Sequence, residues 1–261
     1  FPFLSRAWAN GQKTEFLESF YSTLRQILFL IIPISVFFFL LRVQLVRLIL
    51  GTGQFGWLEI KLTAAGLGLF CLGLFAQASI PFLARVFYSF QDTKTPFFIG
   101  LTSMTLNVSL AFFFVWLLSF SNLFQELIRN ILKLQGIENI AVIGLPLALS
   151  ISGIFQFLLL LIFLRKKIGT FRFREIFDSF KKIVIASFLM AVSLFLGLKI
   201  GANFFNINTF FGLLFQVISA GFTGIFIYFL ISIILKSPEL KNIKFAIFNQ
   251  LTKNLDESNK I

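Results

Sequence analysis

With 261 residues, 57% of them hydrophobic and 13% charged, and with 40 phenylalanines, the chain is too apolar for a water-soluble domain of its length. Its formal charge of +12 does not signal nucleic acid, because the lysines and arginines lie between apolar runs instead of alternating with aromatics on a polar surface. Histidine is absent and Cys71 stands alone in an apolar run, which removes the commonest general base, the commonest metal ligand and any intrachain disulfide.

The composition therefore predicts an all-α, polytopic integral membrane protein with no cofactor and no metal. The chain opens Phe-Pro-Phe-Leu-Ser, without Met or the features of a signal peptide, and reads as part of something longer. Over residues 1–25, Phe16, Leu17, Phe20, Tyr21 and Leu24 recur at helical spacing opposite Lys13, Glu15 and Glu18. That pattern predicts an interfacial helix feeding the first span. The first span covers residues 26–41, with Pro33 near its middle, where proline frees a backbone carbonyl and kinks the helix. A glycine-rich turn over 50–56 lacks the strand and Lys-Ser/Thr pair of a phosphate loop.

Residues 62–84 carry no charge and are long enough to cross about 30 Å of hydrocarbon. Gly66, Gly68 and Gly73 offer close helix contacts there, while Gln77 meets either a neighbouring helix or a substrate. Residues 84–96 then read ARVFYSFQDTKTP, a charged connection in which Asp92 and Thr93 suit caps, Pro96 suits a first turn, and Arg85 and Lys94 suit headgroup level. In the third span, 97–120, Thr102, Thr105 and Ser109 share one helical face, with Asn107 off that line, predicting a polar seam turned into the bundle.

Leu123, Phe124, Leu127, Ile128, Ile131 and Leu132 form an apolar stripe opposite Gln125, Glu126, Arg129 and Lys133, predicting an interfacial helix. The fourth span, 140–164, holds Gly144, Ser150, Ser152 and Gly153 for close packing. Residues 165–182 form the strongest basic block, with Arg165, Lys166, Lys167, Arg172, Arg174, Lys181 and Lys182, and read as a linker helix on anionic headgroups. The last spans are 183–198 and 209–235, and the tail 236–261 has Leu240, Ile243, Ile247 and Leu251 at helical spacing. Six spans place the N-terminal segment, 85–96, 165–182 and the tail on one side with most of the 23 lysines and arginines, so both ends are expected in the cytoplasm. The organisation is thus 1–25 lead-in, 26–164 four-span body, 165–182 linker, 183–235 two further spans and 236–261 tail.

The pattern Arg-x-Phe-Tyr-x-x-x-Asp-Thr-x-Thr-Pro, carried by Arg85, Phe87, Tyr88, Asp92, Thr93, Thr95 and Pro96, resembles the signature of the MurJ/MviN family of lipid II flippases. That family lies within the multidrug, oligosaccharidyl-lipid and polysaccharide exporter superfamily. The resemblance runs along the whole chain and matches it to about helices nine to fourteen of a two-lobe, fourteen-helix transporter. It implies a transporter and not an enzyme, moving lipid-linked peptidoglycan precursor by alternating access across the bacterial inner membrane. The implied partners are an undecaprenyl-type lipid-linked saccharide, anionic membrane lipids and an N-terminal half, with no nucleic acid.

In some relatives the third span supplies an Asn and, one turn later, an Asp to a sodium site; Asn107 matches the first, but Ala111 stands at the second. The resemblance places the cations that hold the headgroup upstream of Phe1, and the six spans as delimited here have no interior charge. The segment is therefore expected to supply one lobe's wall, with the 84–96 connection bracing two helix ends through an Arg85–Asp92 pair and with Gln77, Thr102, Thr105, Asn107 and Ser109 facing the cavity. The alternatives are an exporter of another polyprenyl-linked saccharide, a noncatalytic scaffold, or a membrane enzyme acting on such lipids, for which the carboxylates are too scattered.

Overall fold

The computed structural model describes residues 2–51, 55–137, 139–169, 173–207 and 209–240, and these form helices with no strand among them. In chain order they are α1 (Pro2–Ala9), α2 (Lys13–Leu50), α3 (Trp57–Ser89), α4 (Lys94–Ser119), α5 (Leu123–Leu132), a 3-10 turn (Ala141–Ile143), α6 (Gly144–Ile168), α7 (Phe173–Phe204) and α8 (Phe210–Ile234). The six helices α2, α3, α4, α6, α7 and α8 are each long and apolar enough to cross a membrane. Their outward faces are greasy: Phe112, Phe188, Phe211 and Phe222 are all more than 60% exposed, as expected where hydrocarbon is the solvent.

The helices are longer than the uncharged runs. From Lys13 onward the expected interfacial segment and the first span are one helix of 38 residues, because Arg25, Arg42 and Arg47 stay inside α2, while Pro2–Ala9 form the separate α1. Among the described residues the expected linker helix over 165–182 is divided between two spans: α6 runs to Ile168 and α7 starts at Phe173, carrying Lys181 and Lys182 into the fifth span. Arg172, the side chain of Arg174, and Ile243, Ile247 and Leu251 of the tail lie outside the described residues. On α5, Gln125 is buried with its amide on the Leu118 carbonyl at 2.8 Å, while Leu123, Leu127 and Ile131 of the apolar stripe are exposed and Leu132 is buried.

The helices pack as an open row. α4 lies on α6, α6 on α3, and α3 on α2, while α7 and α8 form a hairpin seated on α2; among the described residues no substantial contact joins α2 to α4 or α6. Small residues set the close approaches. At the α3–α6 crossing a Cβ on Gly73 would lie 2.6 Å from the Ser150 Cα, and Ser150 Oγ donates to the Leu69 carbonyl at 2.7 Å. One turn along, Gln77 Nε2 donates to the Leu149 carbonyl at 3.4 Å, over Gly153. Between α4 and α6, Ser103 Oγ donates to the Ser152 carbonyl at 2.9 Å. In the α7–α8 hairpin, Gln216 Nε2 donates to the Leu198 carbonyl at 2.7 Å. Bonds of this kind take the place of the missing hydrophobic drive between helices in lipid.

Gly→Ala in a helix ordinarily adds about 1 kcal/mol of stability. At Gly100, where the nearest atom to a new Cβ is 3.7 Å away, that gain is expected. At Gly73 the sign should reverse, with a loss of about 1–3 kcal/mol from overpacking against backbone. Thermal melts of the two single variants read the difference; equal shifts would refute the close α3–α6 approach.

Candidate functional site

The connection between α3 and α4 is shorter than its sequence suggests, only residues 90–93, because Arg85, Phe87 and Tyr88 still belong to α3 and Thr95 and Pro96 already belong to α4. α3 closes in a double turn: the Asp92 amide donates to the Phe87 carbonyl at 3.1 Å and the Gln91 amide to the Tyr88 carbonyl at 3.0 Å. Gln91 takes the left-handed φ of 58° that this helix ending requires and that glycine usually supplies. The result aims Asp92 at the start of α4. Its Oδ1 accepts the Thr95 amide at 3.0 Å and its Oδ2 the Thr95 hydroxyl at 2.8 Å, so Asp92 caps the helix as expected, whereas the Thr93 side chain makes no cap bond.

The partner of Asp92 is not Arg85. Lys167 Nζ, from the end of α6, donates to Asp92 Oδ2 at 2.7 Å, while Arg85 points to the exposed side of α3. The Lys167 bond first, and the Thr95 amide next, hold the Asp92 carboxyl at about 2, below its ordinary 3.8. Lys167 also sits 5.4 Å from the centre of the Phe90 ring. Phe90 in turn meets Trp8 of α1 at 4.5 Å and Phe16 of α2 at 5.1 Å, over the fully buried Phe87. Four residues of turn thus fasten together the ends of α1, α2, α3, α4 and α6. Tyr88 is exposed and Pro96 buried.

The polar positions of α3 and α4 do not form one seam. Gln77 is engaged with α6, as described above. Thr102, Thr105 and Ser109 do share a face, but it is exposed in this chain, and each hydroxyl donates only to its own helix, on Phe98, Leu101 and Thr105 carbonyls. Among the described residues of α4 the buried hydroxyl is that of Ser103, which lies off that face. Asn107 is half-buried and Ala111 follows it one turn on. Among the described residues no three His, Cys, Asp or Glu side chains are grouped to hold a metal.

A family model described as lipid II flippase MurJ matches residues 1–216. A probable lipid II flippase MurJ of Thermotoga maritima is 27% identical over 230 residues, which is 88% of this chain and 40% of that protein. Another, from Buchnera aphidicola subsp. Acyrthosiphon pisum, is 27% identical over 212 residues, 80% of this chain and 37% of that protein. Among solved structures, a lipid II flippase MurJ in an inward closed conformation aligns with a TM-score of 0.62 at 24% identity, over 89% of this chain and 41% of that one, a likeness that bears on the fold. The chain spans about two fifths of the length of the relatives it matches.

Proposed function

This chain belongs to the MurJ family of lipid II flippases, and from that premise we propose that it forms one lobe and the two following helices of a transporter for lipid-linked peptidoglycan precursor. It works by alternating access in the bacterial cytoplasmic membrane, with no covalent chemistry, beside an N-terminal lobe that completes the cavity. The observation that carries this reading is the open row α4–α6–α3–α2. A row that does not close on itself makes a wall, and the face of α4 bearing Thr102, Thr105 and Ser109 is left for that second lobe or the cavity between the two. Rocking of such a wall needs its helix ends held together, which is the role of the Asp92–Lys167–Phe90 brace.

The brace also puts the 90–93 turn, the end of α6 and the start of α2 at one end of the molecule, and the Arg25–Glu239 pair at 3.7 Å brings the end of α8 there too. With its basic residues that end is the cytoplasmic one. Depleting the native protein is expected to leave lipid-linked precursor of unchanged chemistry on the cytoplasmic leaflet. Altered precursor chemistry would point to an enzyme instead, and unchanged leaflet distribution would refute transport.

A further inference from the structure

The apolar run of α2 ends at Arg42, which lies eight residues before the helix ends at Leu50, or about 12 Å of rise. Seventeen residues before it stands Arg25, so a hydrocarbon layer of about 30 Å that starts there extends past Arg42. The apolar run stops at residue 41, short of the arginine; with the layer so placed, the continuous helix carries a cation into it. Cations at such depth ordinarily stretch toward the nearer headgroup layer. Arg42 does the reverse. Helical side chains lean toward the N-terminus of their own helix, and Arg42 Nη1 donates to the Phe39 carbonyl at 2.6 Å, one turn deeper, with its guanidinium 4.6 Å from the centre of the Phe39 ring.

The side chain passes close over α3 at Gly68, where a Cβ would lie 2.8 Å from Arg42 Cδ and 3.2 Å from Nε. Among the described residues no carboxylate pairs with Arg42, and the Phe39 carbonyl takes one of the five guanidinium N–H groups. Beside it, α2, α3 and α7 line an open groove of about 440 Å³ whose walls, Ser35 apart, are apolar. Phe39 belongs to both features, so a half-buried cation stands at the rim of a greasy groove. A ligand that satisfies both is an anion on an apolar chain, and a planar guanidinium with free N–H groups favours phosphate.

Resting on the transport reading above, we propose that Arg42 binds the phosphate of a polyprenyl-phosphate lipid in transit, with the α2–α3–α7 groove receiving the first part of its chain. Depth decides the kind of lipid. The phosphate of a resident phospholipid stays in the headgroup layer, and one found at the level of Arg42 belongs to a lipid whose head has left that layer.

The test measures binding of undecaprenyl diphosphate, undecaprenol and phosphatidylglycerol to the native protein in nanodiscs. Arg42→Gln is expected to weaken diphosphate binding by about 10- to 100-fold, the scale of a lost charge-assisted bond, and to leave undecaprenol unchanged. Arg42→Lys, which keeps the charge, should lose only a few-fold, and Gly68→Ala, which displaces the guanidinium without removing it, should fall between the two. Unchanged diphosphate binding in both Arg42→Gln and Gly68→Ala overturns the proposal. So does an equal loss of undecaprenol, which would mark a packing role, or of phosphatidylglycerol, which would mark a general anionic-lipid site. Leaflet distribution on depletion is read separately: binding through Arg42 with undisturbed distribution would defeat the transport reading and leave the site standing.

Discussion

Tyr228→Phe should lower the melting temperature of the native protein by about 3–10 °C, a large effect for the loss of one oxygen atom. The reason begins with Pro33. A proline within a helix has no N–H for the carbonyl four residues earlier, and in α2 that carbonyl belongs to Phe29. Water cannot reach it in the membrane. The Tyr228 hydroxyl of α8 donates to it at 2.6 Å, with the two rings 5.2 Å apart, so the bond that α2 lost is supplied by another helix. Removing the hydroxyl leaves a buried acceptor unpaired, at about 1–3 kcal/mol, and each kcal/mol moves the midpoint of a domain this size by about 2–4 °C. Pro33→Ala restores the helical donor. In that background Tyr228→Phe should cost under about 0.5 kcal/mol, and the double-mutant cycle isolates the coupling. Equal costs in the two backgrounds would show that the bond does not replace the one proline removes.

That prediction also marks what is legible in the sequence. That Pro33 frees a carbonyl follows from its chemistry, but which group answers it does not, because Tyr228 lies 199 residues away. The same division holds at the turn. Asp92 capping α4 is a local matter of residues three apart, whereas its ion pair with Lys167 joins positions 75 apart and was expected of Arg85 instead. Hydropathy located all six spans and missed their ends. Arginine and lysine carry alkyl stems that lie along apolar surface, so a charge marks where a run of apolar residues stops and not where a helix does. Arg42 was overlooked for that reason. Periodicity correctly grouped Thr102, Thr105 and Ser109 on a face, but spacing carries no information on what the face meets, and Ser103 is the hydroxyl that α6 buries.

Asp92→Ala should destabilise the native protein by about 1–3 kcal/mol and impair its ability to replace the wild-type gene. The side chain does two jobs that graded variants separate. One is the cap on Thr95, worth about 0.5–2 kcal/mol; the other is the pair with Lys167, which at 35% and 18% side-chain exposure is screened and adds no more than about 1 kcal/mol. Asp92→Asn keeps an acceptor for the Thr95 amide and loses the charge, so it should cost about as much as Lys167→Ala and clearly less than Asp92→Ala. A carboxyl held below its ordinary 3.8 contributes stability that is complete above that value and fades as pH falls toward about 2, so the gap between wild type and Asp92→Asn should close over that acidic window and stay constant from neutral pH down to about 5. Asp92→Asn as damaging as Asp92→Ala would assign the whole effect to the charge and leave the cap idle. Full complementation by both Asp92→Ala and Lys167→Ala would remove the brace from the proposed transport cycle, because a wall whose helix ends are free to part could then rock as well as one whose ends are tied.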